Sequence, residues 1–294
     1  MNARIPDQRG RTAIITGGGS GIGAAAAAAL SAAGARVIIA VRDQDRGAAA
    51  AKSMDGRVEV RHLDLASLTS VRRFADGVGE PVDYLVNNAG TMTGSLRHTA
   101  DGFELQFGVN HLGHFALTNL LLPRIGRRVV TVSSSGHASA HIDFDDPQWE
   151  HRPYSPFGAY GQSKLANLLF TAELQRRLHA AGSTVAATAA HPGWAATGFT
   201  ITTGNRVLDR LTGIGTRLFA QGPEGGARPT LMATVGDVPG GGFAGPSRFG
   251  VRGPAALVEP SPNATDPEAA RRLWKVSETL TGTRFPWDGE RAEP

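Results

Sequence analysis

Tyr160 and Lys164 stand four residues apart in Tyr160-Gly161-Gln162-Ser163-Lys164. On a helix, positions i and i+4 share a face, so this spacing sets an ammonium beside a phenol. A neighbouring cation favours the phenolate and is expected to draw the tyrosine below its ordinary pKa of about 10. A phenol tuned in that direction can both give and take a proton. Far upstream the chain runs Thr16-Gly17-Gly18-Gly19-Ser20-Gly21-Ile22-Gly23, with glycines at 17, 21 and 23. Small residues let the backbone turn tightly and let a pyrophosphate approach the amides at the positive end of the helix that follows. A proton-handling phenol and a phosphate cradle on one chain point to hydride transfer.

The elements that must position these groups alternate along the chain. Apolar runs at Thr12 to Thr16, Arg36 to Val41, Val58 to Leu63, Val82 to Asn87, Arg128 to Ser133 and Thr184 to Ala189 read as six strands. Helices are predicted over 24–33, 43–54, 67–77, 101–123 and about 158–181. Continuously apolar strands alternating with helices imply an α/β fold: a Rossmann-type, doubly wound parallel sheet with helices on both faces. A single domain over 1–294 is expected, with a polar arm (1–10), a dinucleotide-binding core (11–190) and a substrate-loop and C-terminal region (191–294). Glycine and proline concentrate in 239–262, where a short strand near Phe243 and irregular loops are expected. Asp266-Pro267-Glu268 then has the form of a helix start, with Asp as N-cap and Pro in the first turn. Trp274 and Leu280 on that helix are read as core.

Composition narrows the chemistry. The 294 residues contain no cysteine, so disulfides, thiolate metal sites and cysteine nucleophiles are excluded together. The nine histidines are scattered. His111 and His114 share a helix face, but no Glu-x-x-His accompanies them, and no metal site is expected. A net charge of +4 could suggest nucleic acid, yet the basic residues occur singly or in pairs such as Arg72-Arg73 and are not interleaved with aromatics. The polar start, with Arg4, Asp7 and Arg9, is not that of a signal peptide, and no window approaches the roughly 20 apolar residues that span a bilayer. A soluble, cytoplasmic protein with a small-molecule partner is expected.

More motifs fall at strand ends, where open α/β sheets bind ligands: Asp64-Leu65, Asn87-Asn88-Ala89-Gly90, Ser134 and Pro192-Gly193, with Asn110 in the long helix. In this order, together with Tyr160 and Lys164, they resemble the short-chain dehydrogenase/reductase superfamily over Arg11 to Thr197. The resemblance implies that Asn110, Ser134, Tyr160 and Lys164 are catalytic. Ser134 would hydrogen-bond the substrate oxygen, Tyr160 transfer the proton, and Lys164 hold the nicotinamide ribose. Asn110 would support a water-linked proton path, or satisfy helix backbone as a buried amide, or both. Ser134 lies in Ser133-Ser134-Ser135, and its two neighbours remain open as alternatives.

For the cofactor, the resemblance places Gly17, Gly19, Ser20, Gly21, Ile22 and Gly23 at the pyrophosphate. Asp64, Leu65, Asn87, Ala89 and Gly90 would lie on the adenosine side, and Pro192, Gly193 and Thr197 over the nicotinamide. After the second strand comes Arg42, where a carboxylate would mark NAD. A guanidinium suits a 2′-phosphate. Asp43 and the uncharged Ser20 pull the other way, and NADP(H) is preferred over NAD(H).

The stretches Val109 to Phe115, Tyr160 to Asn167, and His191-Pro192-Gly193 resemble the retinol dehydrogenase and protochlorophyllide reductase-like branch, as does the tail around Arg272-Leu273-Trp274. That resemblance implies an oxidoreductase acting on a hydroxyl or carbonyl of a moderately apolar molecule. Phe144, Trp149, Tyr154, Phe157, Trp194 and Phe199 could wall its pocket or simply pack the loops, and His137 or His141 could touch substrate. Helix faces at 101–123 and 158–181 resemble those through which relatives dimerise, so a homo-oligomer is possible. The alternative function is a non-catalytic dinucleotide-binding regulator on the same fold.

Overall fold

The computed structural model describes residues 5–193, 222–248 and 250–287. Eight strands form one sheet in the order β3-β2-β1-β4-β5-β6-β7-β8. They are β1 (Thr12–Thr16), β2 (Arg36–Val41), β3 (Arg57–His62), β4 (Val82–Asn87), β5 (Ile125–Val132), β6 (Ala186–Ala190), β7 (Phe243–Arg248) and β8 (Arg252–Leu257). Strands β1 to β7 are parallel, and β8 returns antiparallel to β7. The order reverses between β1 and β4, which opens a crevice at the carboxyl ends of those two strands.

The period-2 alternation of the strands builds a core on each face of the sheet. Ile14, Ile38 and Leu85 pack on one side with α3 (Leu68–Asp76), α5 (Gly113–Leu121) and α6 (Pro156–Ala180). Ala13, Ile15, Val37 and Ile39 pack on the other with α1 (Gly21–Ala32) and α7 (Pro223–Val235). The short α2 (Gln44–Ala51) follows β2, with the Asp43 carboxylate accepting from Arg46 N as its N-cap.

The long helix expected over 101–123 begins later and is interrupted. Thr99 Oγ1 accepts from Asp101 N and Phe103 N, and Gly102 adopts φ +86°, so this stretch is a turn. Glu104 is the true cap, its carboxylate accepting from Gln106 N and Phe107 N at the start of α4 (Leu105–Phe107). A π-helical turn, Gly108–Leu112, then joins α4 to α5. Such turns are rare and concentrate at functional sites. This one contains Asn110.

The C-terminal helix α8 (Pro267–Thr281) starts as its sequence predicts, with Asp266 accepting from Glu268 N and Ala269 N. It lies on α6 and α5, so this chain itself covers part of the helix faces offered above for self-association. Trp274, 1% exposed, is its anchor: it meets Phe115 edge-on at 4.9 Å, stacks on Phe170 at 5.7 Å, and carries the Arg177 guanidinium 4.4 Å above its ring. Leu280 packs half-buried against the same core. Trp274→Ala is expected to destabilise the protein by about 3–5 kcal/mol, as truncation of a large buried aromatic does. Urea unfolding of the purified variant measures it, and a loss under ~1 kcal/mol would remove α8 from the core.

Candidate active site

The glycine turn between β1 and α1 is shaped by steric need. Gly17 has φ +68° and Gly21 φ +55°, conformations that a Cβ disfavours. A Cβ on Gly23 would lie 2.5 Å from the Gly17 carbonyl oxygen and against Asn88 Nδ2, so the turn closes only around glycine. Gly19 and Ser20 form the outer lip, Ser20 exposed, and Ile22 is buried beneath. The result is a small-residue cradle of bare backbone facing the N-terminus of α1.

Facing it, the Asn87 to Gly90 turn is pinned to the end of β1. Thr16 Oγ1 accepts from Asn88 N and Ala89 N at 2.9 Å each, and Asn88 Nδ2 donates to the Thr16 carbonyl at 2.8 Å. The Asn87 side chain turns inward and donates to Thr118 Oγ1, tying β4 to α5. Its amide nitrogen is therefore a structural tie, while its Oδ1 is buried without a hydrogen-bond partner among the described residues. Asp64 is half-buried, with Oδ1 accepting from Ala66 N, and Leu65 is buried where its carbonyl meets Gly113.

His114 closes this network. Its Nδ1 lies 3.1 Å from the Asn110 carbonyl and its Nε2 2.8 Å from Thr16 Oγ1. A carbonyl only accepts, so Nδ1 carries the proton and Nε2 receives the Thr16 hydroxyl. Burial holds the imidazole neutral, lowering its pKa to about 4. The mouth of the glycine turn and the π-turn bearing Asn110 are thereby one rigid unit. His111, its partner in the metal consideration, bonds Ser277 Oγ on α8 through Nε2.

Asn110 is fully buried. Its Oδ1 accepts from Thr91 N at 2.7 Å, and its Nδ2 donates to the Thr91 carbonyl and to Ser163 Oγ. Asn110 is thus a buried amide, but its partners are the loop backbone at Thr91 and the Ser163 hydroxyl and not helix backbone, so it ties the π-turn to the loop after β4 and to α6. A Cβ on Gly90 would lie 3.4 Å from both Asn110 Oδ1 and Lys164 Nζ, so these two atoms flank one small space.

The three serines after β5 separate cleanly. Ser133 is buried and donates to the Lys164 carbonyl at 2.7 Å, which fastens β5 to α6. Ser135 is exposed. Ser134 caps the 3-10 turn Ser135–His137, accepts from Gly136 N, and hydrogen-bonds the Tyr160 phenol. Geometry therefore brings Ser134 to Tyr160.

Tyr160 and Lys164 share a face of α6, with Nζ 5.7 Å from the ring centroid. The expected lowering of the phenol is not what this arrangement produces. Burial pushes Tyr160 above its ordinary value, opposed by the Ser134 hydrogen bond. The ammonium is directed at the Val132 carbonyl, 3.1 Å away, and burial draws it down to about 8. Desolvation outweighs the charge pair because Lys164 is buried and Tyr160 is packed into the protein with only part of its surface open to water.

Lys164 thus carries a pH signature. The folded chain releases its proton near pH 8 and the unfolded chain near 10.5, so between those values the unfolded state binds more protons. Stability accordingly rises with pH through this window, and the gain is lost again as pH falls through 8. A contribution on the order of 3 kcal/mol is expected, and Lys164→Met should flatten it. Urea midpoints measured from pH 7 to 10.5 in both proteins test this, and parallel curves would refute it.

The remaining candidates divide. Gly193 has φ +70°, donates its N–H to His191 Nδ1, and follows Pro192 at the end of β6. Thr197, Trp194 and Phe199 lie outside the described residues. Arg42 is exposed just beyond β2. Of the aromatic loop residues, Trp149 is buried under Arg152 and meets Tyr154 edge-on, and the Tyr154 hydroxyl donates to Glu104. Phe144 lies beneath Arg272. These three pack the loop down, whereas Phe157 is 61% exposed. His141 is exposed beside Asn263 and His137 is buried.

A family model described as short chain dehydrogenase matches residues 11–207. The chain belongs to the short-chain dehydrogenase family. It is 43% identical to retinol dehydrogenase 13 of Homo sapiens, across 99% of this chain and 90% of that one. It is 40% identical to polyprenol dehydrogenase of Mus musculus, across 95% of this chain and 86% of that one. An uncharacterised protein from Mycobacterium Paratuberculosis, solved by crystallography, superposes with a TM-score of 0.85 at 52% identity, covering 97% and 98% of the two chains. The expected retinol dehydrogenase-like branch is therefore the right one. This short-chain dehydrogenase is an NAD(P)-dependent oxidoreductase, and its glycine cradle, which a Cβ at Gly23 would fill, fits a dinucleotide pyrophosphate. Among the described residues, no helix is long and apolar enough to cross a membrane.

Proposed function

We propose that this dehydrogenase transfers a hydride between NADP(H) and a hydroxyl or carbonyl group of a moderately apolar small molecule. The observation that carries the reading is the Ser134 hydroxyl bonded to the Tyr160 phenol, with the Lys164 ammonium on the same helix face 5.7 Å from that ring. The bound cofactor supplies the hydride, and the chain supplies position, a proton and charge stabilisation. Ser134 holds the reacting oxygen, and Tyr160 passes a proton to or from it at its phenolic oxygen. Lys164 keeps a cation beside that phenol and would hold the nicotinamide ribose. Asn110 keeps the Thr91 loop and Ser163 in register, so that Lys164 stays over the crevice.

Gly17, Gly19, Ser20, Gly21, Ile22 and Gly23 would receive the pyrophosphate. Asp64, Leu65 and the backbone of Ala89 and Gly90 would border the adenosine. Pro192, Gly193 and Thr197 would lie at the nicotinamide. Two observations support the 2′-phosphate form. The Arg42 guanidinium is exposed at the end of β2, and the Asp43 carboxylate beside it is engaged in capping α2. A helix-capping carboxylate is a poorer acceptor for a ribose hydroxyl than a free one.

An apolar substrate is supported by the kinship with a retinol and a polyprenol dehydrogenase, and by Phe157, exposed three residues before Tyr160. The test is turnover across a panel of alcohols, aldehydes and ketones of graded chain length, each with NADP(H) and NAD(H), followed by reduced-nicotinamide absorbance. kcat/KM is expected to rise with apolar chain length. A flat profile, or activity confined to short polar substrates, would reject the substrate class.

A further inference from the structure

We infer that His137 is a positioning residue for Ser134, clipping the backbone of that serine to the C-terminal segment at Ser261; this rests on Ser134 holding the reacting oxygen. His137 closes the 3-10 turn that Ser134 opens. Its Nδ1 lies 2.6 Å from the Ser134 carbonyl oxygen, and its Nε2 accepts from Ser261 N at 3.2 Å. A carbonyl can only accept and a backbone N–H can only donate, so both partners demand the same tautomer: proton on Nδ1, lone pair on Nε2. Both ring nitrogens are thus spent on backbone. His137 is therefore excluded as a direct substrate contact, one of the roles its sequence position left open.

The ring is buried, with its edge against Phe243 of β7 at 5.6 Å, so it cannot swing to another partner without leaving its site. Its neutral form suits this place, because burial disfavours the imidazolium. The contact is part of a broader seam. Asn263 Nδ2 donates to the Ala140 carbonyl at 3.1 Å, so the far end of the same loop is held by the same C-terminal segment. Ser134 therefore receives its orientation from two directions: Gly136 N fixes its hydroxyl, and His137 fixes its carbonyl. Loss of the imidazole leaves the Ser134 carbonyl on the His137 backbone N–H alone, at 3.1 Å, and cuts the tie to Ser261, so the peptide that carries the hydroxyl facing Tyr160 is held less firmly. Displacements of about 1 Å at a reacting group can cost on the order of a hundredfold in rate.

Three variants separate this role from packing. His137→Leu removes both bonds, His137→Asn keeps an amide donor where Nδ1 stands, and His137→Gln keeps an acceptor where Nε2 stands. His137→Leu is expected to lower kcat by ~10- to 100-fold, with the cofactor Kd, read by fluorescence titration, within about twofold of wild type. In a Ser134→Ala background the same substitution should add less than about twofold, because the two residues act through one hydroxyl. His137→Asn should recover kcat to within about threefold while His137→Gln stays low, since a direct bond to the serine peptide is worth more than the distal one. The Asn and Gln comparison serves alone if the Leu variant does not fold.

A wild-type kcat in His137→Leu would overturn the proposal, as would a full further loss in the Ser134→Ala background or recovery by Gln instead of Asn. Ser134→Ala measured by itself separates the two layers. If it retains wild-type turnover, the assignment of Ser134 fails and the positioning role falls with it. If it loses turnover while His137→Leu does not, only the inference about His137 is wrong.

Discussion

Tyr160→Phe is expected to lower kcat by ~10³-fold or more while leaving the NADPH dissociation constant within about twofold of wild type. The substitution removes one oxygen and keeps the ring, so the packing of α6 against the serine turn survives. What disappears is the only phenol within reach of Ser134 among the described residues, and general acid or base assistance of this kind contributes typically 10²–10⁴-fold. The environment adds a second, pH-resolved expectation. Burial raises the phenol, so below neutrality Tyr160 is poised to donate. Lys164, drawn down to about 8, loses its charge on the alkaline side. Reduction should therefore decline as pH rises through 8, where the cation that stabilises a developing phenolate is lost. Steady-state rates with an apolar aldehyde from pH 6 to 10, with fluorescence titration of NADPH, measure both effects. Wild-type turnover in the Phe variant would remove the proton-transfer role from Tyr160.

Arg42→Ala should weaken NADPH by ~10- to 100-fold and NADH by less than about threefold. Arg42 is exposed just past β2, free of the ion-pair networks that occupy Arg36 and Arg61 further along the sheet edge. A guanidinium meeting a phosphate makes charge-assisted, often paired hydrogen bonds, worth roughly 1.5–3 kcal/mol when they are partly desolvated. NADH lacks the phosphate and has nothing to lose. Because the site is exposed, the NADPH penalty should shrink as salt is raised. Equal losses for the two cofactors would show that Arg42 holds the protein and not the 2′-phosphate, and the NADP(H) assignment would be withdrawn.

Much of this architecture is written in local patterns. The strands β1, β2 and β4 are apolar runs bounded by glycine or polar turns, and they form with the limits their composition predicts. The Asp266-Pro267 helix start and the glycine turn are equally local, because each depends on residues a few positions apart. Other features depend on partners distant in the chain. The π-turn around Asn110 has no distinct hydrophobic pattern and is held by bonds to Thr91 and Ser163. Helix α7 contains Gly225, Gly226 and Pro229, a composition that argues against a helix, yet it forms because Ala227 and Ala233 bury against the sheet and α1. The short strand expected near Phe243 forms as β7, but the returning strand β8, which carries Gly253 and Pro254, reads as loop until its pairing with β7 is seen.

The site follows the same division. Spacing alone picks out Tyr160, Lys164 and the serine triplet, but only the tertiary bonds of Ser133 and the exposure of Ser135 single out Ser134. The sign of the Tyr160 shift could not be read from a pair of residue types, because it depends on how much water each group retains. The roles of His114 and His137 were equally hidden, since each is defined by two backbone or hydroxyl partners from other parts of the fold.

The most direct test of the central claim follows the hydride itself. The wild-type enzyme is given an apolar aldehyde and NADPH deuterated at the reactive position of the nicotinamide ring, and the alcohol formed is examined by mass spectrometry. One deuterium is expected on the carbinol carbon for each NADPH consumed, and almost no labelled alcohol from Tyr160→Phe in the same time. Alcohol without the label, or no consumption of either cofactor across the substrate panel, would contradict the claim.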